Sequence, residues 1–264
     1  MSNAPIIERI ELTAFEIELQ DIVTDRAGFG LSYQPGTRGT HTRFGVRIIS
    51  DTDVVGEYIP PRGRTNVIMT ASEALSYSLI GEPALQREKH YRTMRKLTKH
   101  IGEVGIGAID IALWDLAGKH QGVSVSEMLG GYRERLPAYA STIGGDRLKG
   151  GLSSPEAYAD FAEQCLELGY KGFKMHGWHE GNVAEECAMI KAVCERIGDK
   201  MIIMYDAACH PDTLADAIQI GQVCDEYGLY WLEDPYGDGG VSIHGHQMLK
   251  KSVKTPILIS EHVR

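Results

Sequence analysis

The chain predicts an α/β protein in which an N-terminal α+β domain is followed by an incomplete (β/α) TIM-type barrel. Three observations carry that prediction. The first ~50 residues alternate like half-buried strands, and the next ~80 carry helical apolar spacing. After Gly130-Gly131 five short apolar runs alternate with helix-start signals, which is the rhythm of a parallel sheet. Asp206, Glu233 and Glu261 end three consecutive runs at separations of 27 and 28 residues, near the length of one strand–helix unit. The expected domains are 1–131 and 132–264.

The N-terminal strands are IELTAFEIEL, TRFGVRIIS and DVVGEY; the second puts Phe44, Val46 and Ile48 on one face. DRAGFGLSYQPGTRGTHT, between the first two, is glycine-rich with Pro35 and reads as a mobile loop. Thr70 with Glu73 reads as a capping box ahead of SEALSYSLI, and EPALQREKHYRTMRKLTKH reads as a second helix. In IGAIDIALWDLAGKHQG, apolar residues at 106, 109, 113, 116 and 117 make one helical face, closed by Gly118 or Gly122. The barrel runs are LPAYASTI, GFKMHGW, MIIMYDAA, LYWLEDP and PILISEH. Helices are expected to start near Ser154-Pro155-Glu156, Val183, Pro211-Asp212-Thr213 and Val241. An open doubly wound sheet would carry a glycine-rich phosphate turn opening a helix after its first strand. STIGGDRLKGG does not fit, so a barrel is preferred, with five units of the roughly eight that closure needs.

The charge balance is 27 basic against 36 acidic residues, which argues against a nucleic-acid partner. No apolar run is long enough to span a bilayer, and MSNAPIIERIEL does not read as a signal peptide, so no membrane partner is expected. The five cysteines form no CxxC pair, and Cys187 and Cys194 read as core thiols on one helix face. A reducing, cytoplasmic setting fits.

Three carboxylates at the carboxyl ends of neighbouring parallel strands offer oxygen-only ligands, which suit a hard divalent cation such as Mg²⁺. Asp206 could instead cap the following turn. Asp234 beside Glu233 could be the inward carboxylate instead, although in LEDP parity with Trp231 makes Glu233 co-facial with that apolar partner and leaves Asp234 opposite. Lys174 and His176 in FKMH share a strand face and point inward together if either does. A lysine facing a barrel interior needs an acidic partner; a structural pairing with Asp206 competes with acid–base chemistry. His179 and Glu180 read as solvated loop residues.

Lys-x-His on the second barrel strand, then Asp206, Glu233 and Glu261 on the next three, resembles the enolase superfamily. The N-terminal strands and helices resemble its capping domain, and IGAIDIALWDLAGK with GVSVSEMLGG resembles its linking helix and turn. Glu at the third acidic position is more similar to the mandelate-racemase subgroup than to the muconate-lactonizing one. The resemblance implies Mg²⁺ held by Asp206, Glu233 and Glu261, with the carboxylate of a small-molecule substrate completing the shell. It implies removal of the weakly acidic proton α to that carboxylate, leaving a dianionic enediolate that the cation stabilises. Dehydration of a hydroxylated sugar acid is the reaction expected first. Racemisation or epimerisation and lactone-forming cycloisomerisation follow, and a catalytically inactive metal-binding fragment or assembly subunit is the alternative of another class.

Two departures bear on the catalytic residues. The family commonly has Lys-x-Lys where this chain has Lys174 and His176, so either His176 is the base with Lys174 as its electrostatic partner or the base lies elsewhere. The subgroup usually also has an Asp and a His on two later strands, so the polypeptide is expected to continue beyond Arg264. Five strands leave two sheet edges to be covered, by further residues or by a second copy in a homo-oligomer. In the segment from Asp21 to His41, Tyr33, Arg38 and His41 are candidates for contacting a polyhydroxylated substrate.

Overall fold

The computed structural model describes residues 4–24, 31–61, 65–237, 242–259 and 261. Among the described residues two compact units emerge, one within 4–19 and 40–135, the other within 20–39 and 136–261. The boundary after 135 lies near the expected 131, but residues 20–39 join the second unit. Among the described residues no helix is long and apolar enough to cross a membrane.

The first unit is built on a sheet ordered β1 (Ile7–Thr24), β2 (Leu31–Ser50) and β3 (Val55–Tyr58). Strand β3 runs antiparallel to β2, with Val46 opposite Tyr58 and Ile48 opposite Gly56. Phe44, Val46 and Ile48 are buried together, as their alternation requires. Helices α1 (Thr65–Ser76), α2 (Arg87–Leu97), α3 (Ile106–Gln121) and the short α4 (Val125–Met128) follow. All five apolar positions expected on α3 are buried, and Gly122 closes the helix in the left-handed region at φ 69°. The helix lies so close to β3 that a Cβ at Gly56 would come 2.0 Å from the carbonyl oxygen of Ala112. The capping reading at Thr70 fails. Helix α1 already runs from Thr65, so the backbone N–H groups near Thr70 are satisfied by the preceding turn.

In the second unit, β4 (Ala140–Ser141), β5 (Gly172–His176), β6 (Ile202–Asp206), β7 (Leu232–Glu233) and β8 (Ile257–Leu258) form a parallel sheet in sequential order. Sequential order without reversal is what an arc of a barrel has and a doubly wound sheet lacks. Helices α5 (Pro155–Glu167), α6 (Val183–Ile197), α7 (Leu214–Tyr227) and α8 (Ile243–Ser252) alternate with the strands. Their starts match local chemistry: Ser154, Asn182, Thr213 and Ser242 each accept a backbone N–H from the first turn. Alternation splits β5 and β6 into two faces. Phe173, Met175, Ile203 and Tyr205 join the core against the helices, while Lys174, His176 and Asp206 take the other parity.

The segment read as a mobile loop is largely strand. In its described parts β1 runs to Thr24 and β2 starts at Leu31, with residues 25–30 outside the described set. The ordering force is pairing. Tyr33 N donates to Gly144 O and Gly144 N to Leu31 O, both at 3.1 Å, so residues 31–33 cover part of the edge beside β4.

Candidate metal and proton-transfer site

The strand register brings the charged residues together. His176 pairs with Asp206 across β5 and β6, and Asp206 with Glu233 across β6 and β7, all at the carboxyl ends of the strands. Lys174 lies one pleat deeper and reaches up to both carboxylates, its Nζ 2.8 Å from Asp206 Oδ2 and 2.9 Å from Glu233 Oε2. His176 Nε2 is 2.9 Å from the same Asp206 Oδ2. Trp231 Nε1 donates to Glu233 Oε2 at 3.1 Å, on the shared face that parity predicts. Asp206 also caps its own turn, Oδ1 accepting from Ala208 N at 2.9 Å.

Burial is severe: Lys174 is 8% exposed and Asp206 1%. Desolvation alone would raise the Asp206 pKa, but the hydrogen bonds and charges of His176 and Lys174 outweigh it and hold the carboxyl well below its usual range. Desolvation likewise works against the Lys174 ammonium, and Asp206 and Glu233 reverse the effect, leaving its pKa raised. The cluster is thus a network of charged groups, in which each buried charge has an opposite partner.

The histidine has a defined polarity. A carboxylate only accepts, so the contact to Asp206 places a proton on His176 Nε2. Its Nδ1 is buried and, among the described residues, has no hydrogen-bond partner. One ring nitrogen oriented by a carboxylate and the other unengaged is the arrangement of a general base.

The third carboxylate differs from the expectation. Ligand oxygens of Asp206, Glu233 and Asp234 all lie within 4.8 Å of one another. Parity assigned Asp234 to the opposite face, but the backbone leaves the strand there, with φ 39° at Asp234, and alternation no longer applies. Glu261 is exposed and lies outside this group. The register partner of Glu233 on β8 is Leu258, and among the described residues no ladder pair reaches Glu261. Even sequence spacing fixed the number of units and not where each strand ends. The donor set, carboxylate oxygens only, fits a hard divalent cation such as Mg²⁺.

His179 is not the solvated residue expected. Its Nε2 lies 2.5 Å from Ser32 Oγ and its Nδ1 3.4 Å from His210 Nε2, forming a Ser–His–His chain over the loops that follow β5 and β6. Ser32 and His210 carried no sequence signal; the pairing of residues 31–33 with Gly144 supplies the first. Glu180 is exposed, as expected, and accepts from Arg147. Of the candidate substrate contacts, Tyr33 is half-buried beside Gly144 in the second unit, Arg38 is exposed, and His41 belongs to the first unit. In that first unit a groove of about 650 Å³ is lined by Leu85, Arg87, Tyr91, Asp110 and Trp114. Arg87 covers the Trp114 ring there.

Two family descriptions match the chain: "Mandelate racemase / muconate lactonizing enzyme, N-terminal domain" over residues 34–130, and "Enolase C-terminal domain-like" over 157–264. The D-galactarolactone cycloisomerase of Agrobacterium fabrum is 34% identical over 199 residues, covering 72% of this chain and 50% of that protein. The L-talarate/galactarate dehydratase of Salmonella typhimurium is 27% identical over 261 residues, covering 97% of this chain and 63% of that protein. The chain therefore spans between half and two thirds of these relatives. Among solved structures, the magnesium-complexed D-glucarate dehydratase from Agrobacterium tumefaciens superimposes with a TM-score of 0.83 at 27% identity, covering 97% of this chain and 67% of that one.

Proposed function

Because the chain belongs to the enolase superfamily, in its mandelate racemase/muconate lactonizing group, we propose that it removes the proton α to the carboxylate of a hydroxylated acid, with Mg²⁺ as cofactor, and expels water. The observation that carries this reading is the His176–Asp206 contact of 2.9 Å with Nδ1 buried and unengaged, beside carboxylates fit for a cation. His176 Nδ1 takes the α-proton. The electron pair left on the α-carbon forms the Cα=Cβ bond as the β-hydroxyl departs as water, taking the proton that His176 has just accepted. Lys174 supports the step by keeping the buried carboxylates ionised. Asp206 and Glu233 would hold the metal, which when bound supplies positive charge where the dianion develops. The third carboxylate is Asp234 by proximity and Glu261 by strand spacing, and metal titration of the two variants assigns it.

Hydroxylated acids are favoured by the two sugar-acid dehydratases and the lactone cycloisomerase among the similar proteins. A panel of acid sugars incubated with the protein in D₂O and followed by NMR tests the reading. A 2-keto product carrying solvent deuterium at the former β-carbon, abolished by EDTA, is expected. α-Exchange with inversion would assign racemisation, lactone opening or closure would assign cycloisomerisation, and neither exchange nor product from any acid would overturn proton abstraction. The thiols of Cys165, Cys187, Cys194 and Cys224 form no disulfide, which accords with a reducing compartment. Among the described residues β8 pairs with β7 alone; a homo-oligomer is one way to cover its other edge, which light scattering would reveal.

A further inference from the structure

Helix α6 buries Glu186, Met189, Ile190, Val193, Cys194 and Ile197, a continuous stripe at helical spacing whose first member is a carboxylic acid. Glu186 is 1% exposed, and among the described residues no basic side chain forms an ion pair with it. An apolar side chain at that position would avoid the cost of desolvating a carboxyl group. What Glu186 touches explains its presence.

Its Oε1 accepts from Trp178 N and its Oε2 from Tyr205 Oη, both at 2.9 Å. Trp178 lies two residues beyond His176, and Tyr205 immediately precedes Asp206. The carboxyl group therefore joins the exit of β5 to the end of β6 from behind, on the face opposite the charged cluster. The approach is close: a Cβ at Gly177, between His176 and Trp178, would lie 1.7 Å from Glu186 Oε2. A second support acts on the same exit, because Tyr158 Oη donates to His176 O and its ring meets Trp178 edge-to-face at 5.2 Å.

We propose that Glu186 is a positioning residue, which sets the His176–Asp206 hydrogen bond by clamping the carboxyl ends of β5 and β6 from the helix side. It contacts neither substrate nor cation. The proposal rests on the reading that His176 and Asp206 are the working groups, and the clamp itself is measurable without turnover.

Three variants test it. Glu186→Gln preserves the clamp, since its amide oxygen accepts from Trp178 N and its NH₂ donates to Tyr205 Oη. Glu186→Leu deletes the clamp and keeps the apolar stripe, and Tyr205→Phe removes one arm. The readouts are the tautomer of the His176 ring by ¹⁵N NMR, the affinity for Mn²⁺ as a spectroscopically visible hard cation, and the urea midpoint. The expected result is a Leu variant that stays folded with a midpoint at or above wild type. Its His176 should shift from the Nε2–H tautomer toward a mixture, and its Mn²⁺ affinity should fall about tenfold, ~1.4 kcal/mol. Tyr205→Phe should fall between, and Gln should stay within about twofold of wild type in affinity. A folded Leu variant with wild-type tautomer and affinity overturns the proposal. So does a Gln variant as impaired as Leu, because the hydrogen bonds would then be immaterial. Failure of the proton-abstraction reading shows differently: His176→Gln would retain α-proton exchange, whatever the tautomer data say about Glu186.

Discussion

The two faces of β5 and β6 bury carboxyl groups of opposite character. On the inner face Asp206 sits between Lys174 and His176, and its pKa is pulled down despite burial. On the outer face Glu186 is as deeply buried but meets only a backbone N–H and a phenol, and desolvation dominates. Its pKa rises to about 7 even though the Trp178 N–H and Tyr205 hydroxyl oppose the shift. Depth is nearly the same, and the partner decides. A buried carboxyl group given an ammonium and strong donors becomes a site for charge, while one given neutral donors alone becomes a brace that protonates near neutral pH.

Removing the cation from the inner face breaks the comparison most severely. Lys174→Ala leaves Asp206 and Glu233 buried without their shared ammonium, and about 3–5 kcal/mol of stability should be lost. Urea unfolding in EDTA measures this, and added Mg²⁺ should recover part of it by filling the same charge deficit. An unchanged midpoint in EDTA would show that Lys174 is not what compensates the carboxylates.

His176→Ala should act on turnover rather than on the fold. A 10²- to 10⁴-fold fall in α-proton exchange, roughly the worth of a general base, is expected with Mn²⁺ affinity changed far less. Near-normal exchange would place the base elsewhere in the polypeptide.

The outer face is tested by pH. Between its ordinary value of 4.5 and its folded value of about 7, Glu186 holds a proton in the folded chain that the unfolded chain has released. Stability contributed by that proton is present at acid pH and lost as pH rises through this window, by about 3 kcal/mol in all. Glu186→Gln removes that decline, so its stability advantage over wild type should grow from pH 4.5 to pH 7 and then level off. Asp206 has the opposite sign, its contribution being lost as pH falls below the usual carboxylate range. Both chains share that trend, which cancels in the difference.

The finest comparison is between Asp234 and Glu261. If proximity in the structure governs, Asp234→Asn should weaken Mn²⁺ binding about tenfold and Glu261→Gln should leave it within about twofold, ~1.4 against ~0.4 kcal/mol. The reverse order would assign the third carboxylate by strand spacing.

Much of this architecture was legible because its determinants are local. Ser154-Pro155, Thr213 with Asp216, and Gly122 are terminus signals that act within a turn, and helices start or stop there. The pairing of Lys174 with His176 followed from strand parity, and the contacts of both with Asp206 from the register of adjacent parallel strands. Glu186 had a signal that could have been read: an acid in the first place of an otherwise apolar stripe, at 186, 189, 190, 193 and 194.

The sequence by itself determined the alternation of strands and helices, the inward parity of Lys174 and His176, and the supply of acidic residues at strand ends. All of these depend on periodicities of 2 and 3.6 residues and on caps that need no distant partner. Tertiary structure decided the rest. Residues 31–33 became strand because Gly144 offered backbone partners, against the turn-like composition of their neighbourhood. Asp234 joined the inner group because the backbone turned into the left-handed region, whereas Glu261 lies outside the group that the described carboxylates form. Where a carboxylate ends up depends on the last hydrogen bond of its strand, and a neighbouring strand far away in the chain sets that bond.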